Sequence, residues 1–90
     1  FYLCPEGYTK MYSMKSDTWS IGICAYLILL GDYPFEGDDD EYGENVLKGN
    51  LTLSYKLSNK SKKFIEKCLD YNPKTRASIY ELLNDEWIVV

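Results

Sequence analysis

The sequence has no histidine, a single arginine, and no CxxC pair among its three cysteines. Without histidine, zinc sites built on Cys and His spacing are excluded, as are Ser–His and Cys–His catalytic pairs. Cys4, Cys24 and Cys68 are odd in number and widely spaced, which fits reduced thiols in the cytoplasm or nucleus. Cys24 and Cys68 stand among apolar residues, so both are expected to be small buried side chains. Long apolar runs are also missing. The longest, residues 21–30, has ten residues, whereas a membrane span needs roughly 20. No basic-then-apolar leader opens the chain, and a soluble protein is expected.

Phosphate-cradling patterns are absent as well. The glycines at 7, 22, 31, 37, 43 and 49 match neither GxGxxG nor GxxxxGK[ST]. Asp38, Asp39, Asp40 and Glu41 form a run, without the alternate acids and central glycine of an EF-hand. That run is expected to be a solvated acidic helix start. No catalytic, cofactor-binding or metal-binding residues are therefore expected within this segment. The net charge of −4 and pI of about 4.7 disfavour a nucleic-acid partner. Lys60, Lys62, Lys63 and Lys67 have helical spacing and read as a solvated face rather than a phosphate-binding patch.

What remains is a folding sequence. With 46% hydrophobic and 16% aromatic residues in 90 positions, it holds one small domain or part of a larger one. Residues 1–15 look irregular, with Pro5, Gly7 and scattered tyrosines. Ser16-Asp17 is a start signal for a helix over 17–30, and Gly31 suits its left-handed end. After Gly22 this helix is apolar nearly all round, which predicts enclosure by protein on every side. Residues 31–37 form a loop interrupted by Pro34 and two glycines. A weaker helix over 39–48 runs from acidic residues to Lys48, and 50–57 reads as a connector.

Ser58 is the expected cap of a helix over 59–70, with Phe64, Ile65, Cys68 and Leu69 on one face. Asn72-Pro73 stops it. Ser78 and Glu81 form a capping box for the last helix, with Leu82 and Leu83 on its inner side. The fold class is thus mainly α, with about four helices around one buried central helix.

Three stretches in fixed order carry a family resemblance. Tyr2-Leu3-Cys4-Pro5-Glu6 resembles the Y-x-A-P-E close of a protein kinase activation segment. Asp17-Thr18-Trp19-Ser20-Ile21-Gly22, continuing to Pro34-Phe35-Glu36-Gly37, is similar to the family's D-x-W-S-x-G helix and P-F-x-G loop. Asn72-Pro73-Lys74-Thr75-Arg76-Ala77-Ser78, followed by Trp87-Ile88, resembles its P-x-x-R-x-S/T segment and last helix. Together they span essentially the whole chain. By this resemblance, residues 1–90 are identified as part of a kinase large lobe, without the small lobe, catalytic loop or metal-binding segment. The length from Gly7 to Lys15 and the run Tyr26-Leu27-Ile28-Leu29-Leu30 are similar to the calcium- and calmodulin-dependent group, including the calcium-dependent kinases.

The resemblance implies roles for individual residues. Glu6 would pair with Arg76, whose planar guanidinium grips a carboxylate as lysine cannot; a surface arginine is the alternative. Asp17 would anchor the catalytic loop, or would simply cap its helix. Trp19 and Trp87 would be core, and Phe1, Tyr2 and Leu3 would line a substrate pocket. ATP and Mg2+ would be held by parts of a full-length kinase that precede this sequence. Partners would be protein substrates, favoured if basic by the acidic residues of 36–44, together with the rest of the kinase domain. A serine/threonine kinase fragment, inactive alone, is the expected function, and a pseudokinase or scaffold lobe is the alternative. Cys4 for alanine, Gly7-Tyr8 after the glutamate, a short 50–57 connector and Asp85-Glu86 before Trp87 depart from the family pattern.

Overall fold

Gly31 ends the helix Ser16–Leu30 in a left-handed turn, with φ of 71°, and donates its N–H to the Leu27 carbonyl. The computed structural model describes residues 4–5, 15–37, 39–49, 51 and 53–89, with the side chains of 39 and 40 excepted. Among the described residues four helices follow in order: α1 Ser16–Leu30, α2 Asp39–Lys48, α3 Asn59–Cys68 and α4 Ile79–Leu83. No strand occurs among the described residues. The chain is mainly α, as the periodicity predicts.

Local chemistry accounts for most boundaries. Ser58 Oγ accepts the Ser61 N–H at the head of α3. The capping box of α4 is complete: Glu81 N–H donates to Ser78 Oγ, and Ser78 N–H donates to Glu81 Oε1. Two details differ from the sequence reading. The cap of α1 is Lys15, with no side-chain cap hydrogen bond, so Ser16-Asp17 lies inside the first turn. Helix α3 ends at Cys68, before the residues that precede Pro73, because Asp70 and Asn72 redirect the backbone. Their carboxylate and amide oxygens accept the N–H groups of Asn72 and Lys74, an alternative to continuing the helix.

Helices α1 and α3 make the principal packing interface. Trp19, Ile23 and Tyr26 of α1 are buried, as are Phe64, Ile65 and Cys68 of α3 with Leu69 just beyond it. Burial of each large apolar side chain is worth roughly 1.5–3 kcal/mol. Gly22 lets the helices meet: a Cβ there would lie 2.5 Å from Cys68 Cβ. An aromatic chain then ties the 31–37 loop and α2 to this core. Phe35 stacks on Trp19 and meets Tyr42 edge-on, and Tyr42 meets Tyr33. Tyr26 Oη accepts the Ser54 N–H, pinning the connector to α1.

The enclosure expected around α1 is found on one side only. Ile21, Cys24 and Leu29 are exposed, and Ile28 is 82% exposed. The molecule measures 38 × 28 × 16 Å, and packed helices sit about 8–10 Å apart. Its thinnest direction therefore accommodates one helix over another, with no third layer above α1 among the described residues. The same geometry corrects the burial expected of Cys24, which is exposed on the open side of α1. Leu83 is also exposed, unlike Leu82: the step between neighbouring helical positions turns it away from the core at the end of this short helix.

Candidate functional site

Arg76 is a fully buried charge, and the loop that carries it is shaped to receive it. Thr75 Oγ1 donates to Asp70 Oδ2, and the N–H groups of Thr75 and Arg76 donate to the Asn72 carbonyl. This tight turn aims backbone carbonyls inward. Arg76 Nε donates to the Asp70 carbonyl at 2.8 Å and Nη2 to the Tyr71 carbonyl at 3.3 Å. Nη1 reaches across the fold to the Lys15 carbonyl at 3.0 Å. The guanidinium carbon lies 5.0 Å from the Trp19 ring centre, close enough for cation–π attraction.

One arginine thereby joins three pieces of chain: the head of α1, the 70–77 turn and the Trp19–Phe35 stack. The Lys15 carbonyl is shared, since Thr18 Oγ1 donates to it at 2.7 Å. Lys15 Nζ also donates to the Lys74 carbonyl, so the start of α1 and the turn are linked in both directions. Lysine at position 76 would offer a point charge where three diverging donors are used. The surface-arginine alternative does not hold.

The other expected site residues divide between described and undescribed parts of the chain. Phe1, Tyr2, Leu3 and Glu6 lie outside the described residues, although the neighbouring Cys4 and Pro5 are buried. Asp17 is exposed in the first turn of α1, where its charge suits the helix dipole. Trp19 is 1% exposed, and its buried Nε1–H has no acceptor among the described residues. Trp87 is half-buried against Phe64, ring centres 4.8 Å apart.

A second polar contact has no counterpart in the sequence reading. Lys67 Nζ pairs with Asp85 Oδ2 at 2.5 Å, and Asp85 Oδ1 accepts the Trp87 N–H. The hydrogen bond from Lys67, helped by that from Trp87, holds the buried Asp85 carboxyl below the usual carboxylate range, while burial opposes the shift. Asp85 in turn raises the Lys67 ammonium above its ordinary value. Nothing in the one-dimensional pattern links positions 67 and 85; the 70–78 reversal brings them together. Beneath them, burial first and then the Asp85 charge push the Cys68 thiol up to about 12, so it stays protonated and inert.

This pairing has a pH consequence. Asp85's contribution is complete above its unfolded pKa, about 3.9, and is lost as pH falls through the lowered folded value. Asp85→Asn should therefore flatten the acid side of a melting-temperature profile between about pH 5 and pH 2. Profiles of equal slope for variant and parent would show that the pair contributes nothing.

Among the described residues, no three His, Cys, Asp or Glu side chains come together to hold a metal ion. No helix among them is long and apolar enough to cross a membrane.

Comparison with known proteins covers the whole of this geometry. The protein kinase domain family pattern matches residues 1–88. A calcium-dependent protein kinase of Glycine max, SK5, is 36% identical over 94 residues, covering 99% of this chain and 18% of its own length. Calcium-dependent protein kinase 5 of Plasmodium berghei is 33% identical, with 99% and 17% covered. The crystal structure of the Rad53 kinase domain and SCD2 superposes with a TM-score of 0.85 at 29% identity, over 99% of this chain and 36% of that one. The chain thus spans about a sixth of these curated relatives and about a third of that solved structure.

Proposed function

The chain belongs to the protein kinase domain family, and from that premise we propose that it is the rear platform of a serine/threonine kinase's large lobe. The observation that carries this reading is Arg76, a buried guanidinium whose three nitrogens tie the head of α1 to the 70–77 turn. Its role is to hold shape. In this reading Glu6 completes the guanidinium's partners and so fastens the activation segment to the lobe. Asp17, exposed at the first turn, anchors the backbone of the catalytic loop. Phe1, Tyr2 and Leu3 line the pocket for the substrate residue beside the phosphorylated one.

ATP and Mg2+ belong to segments of the kinase domain outside these residues, so the segment alone does not transfer phosphate. The open side of α1 is where those segments pack. Ile21, Ile28 and Leu29 supply apolar area for them, and an acceptor from them would satisfy Trp19 Nε1. Substrates are proteins phosphorylated on serine or threonine, basic ones favoured by the acidic residues of 36–44, in the cytoplasm or nucleus. The relatives' names support the kinase type and its calcium-dependent subgroup.

The test is phosphoryl transfer by the complete protein from γ-labelled ATP with Mg2+, to peptides differing only in Ser, Thr or Tyr. Label on the serine and threonine peptides and none on tyrosine is the expected outcome. A folded protein that transfers no label to any peptide would replace this reading with the scaffold one.

A further inference from the structure

We propose that the cleft between the lysine face of α3 and the 84–86 turn docks an acidic side chain presented by a protein segment. Lys60, Lys63 and Lys67 line it from one side and Asn84, Asp85 and Glu86 from the other, around a volume of about 280 Å³. The inference is independent of catalysis and of the proposed platform role.

The charges of the cleft are unequally used. Lys67 is occupied by Asp85, whose second oxygen takes the Trp87 N–H. Lys60 and Lys63, a helical turn apart on the exposed face of α3, have no carboxylate within ion-pair distance among the described residues. Residues 56–67 hold five of the nine lysines and one acid, Glu66, in a chain whose net charge is −4. The cleft itself sets three of these lysines against two acids, a net positive spot on an otherwise acidic molecule.

That contrast selects the partner. A long polyanion would meet the repulsion of the remaining surface and of Glu86 at the rim, within a Debye length of about 10 Å. A flat anionic membrane would not enter a concave site. A glutamate or aspartate on a peptide brings one charge to the two free ammonium groups, and the Asn84 amide stands beside them. Complementarity of this kind sets partner choice and association rate more than raw affinity.

The experiment uses the complete protein and a fluorescein-labelled ten-residue glutamate-rich peptide, followed by anisotropy at low salt. Binding that weakens with salt is expected, and Lys60→Glu with Lys63→Glu should weaken it about tenfold. Lys60→Gln with Lys63→Gln should weaken it about threefold, and Lys48→Glu, outside the cleft lining, by less than twofold. Both altered positions are exposed, so thermal melts of the variants should match the parent. Equal losses in the cleft and Lys48 variants would overturn the proposal. So would tighter binding of phosphatidylserine vesicles or a single-stranded oligonucleotide that is lost in the same cleft variants.

Discussion

Arg76→Met is expected to lower the unfolding free energy of the complete kinase domain by about 3–5 kcal/mol. The guanidinium is fully buried, and its three nitrogens donate to carbonyls of Lys15, Asp70 and Tyr71. Methionine fills much of the same volume but leaves those carbonyls without these donors, and each unsatisfied buried group costs about 1–3 kcal/mol. The Lys15 carbonyl keeps Thr18 Oγ1, so the loss should fall short of three full penalties. Arg76→Lys should recover less than half of it, because an ammonium on a flexible stem cannot reproduce three diverging directions. Urea unfolding of the three proteins measures both quantities. A loss below 1 kcal/mol for methionine, or full recovery by lysine, would show that Arg76 does not organise this region.

Gly22 offers a test whose sign is decisive. In an open helix, glycine to alanine stabilises by about 1 kcal/mol through backbone entropy. Here the added Cβ would lie 2.5 Å from Cys68 Cβ and 2.9 Å from Leu69 Cδ2. Helices α1 and α3 would have to separate, and such overpacking costs about 1–3 kcal/mol. Gly22→Ala is therefore expected to destabilise despite its better propensity, and Gly22→Val to destabilise further, by about 3 kcal/mol. Stabilisation by alanine would mean that the two helices are not in the contact described.

What the sequence makes legible follows the range of the interactions involved. Helix α2 begins and ends where the charge order and Gly49 place it, and the caps at Ser58, Ser78 and Gly31 form from residues a few positions apart. The apolar face of α3 is legible for the same reason. Arg76 attracts notice as the sole arginine, yet its carbonyl acceptors emerge only from the Asp70 and Asn72 turns. The Lys67–Asp85 pair is hidden because chain reversal, not spacing, creates it. Enclosure of α1 is the instructive difference. An all-round apolar pattern reports that a helix is covered in its finished setting, and cannot say which stretch of chain provides the cover. Cys24 and Ile28 carry that signal while facing outward from this segment.

On the proposed reading, the open side of α1 is interior in the complete kinase domain. Cys24 is a direct reporter, because Cys4 and Cys68 are already buried within the segment. Native complete protein would be treated with iodoacetamide, and each cysteine quantified by peptide mass spectrometry against a denatured control. Cys24 is expected to stay unmodified until the protein unfolds. Labelling of Cys24 in the native protein at the rate of a free thiol would contradict the claim that this face lies inside a larger lobe.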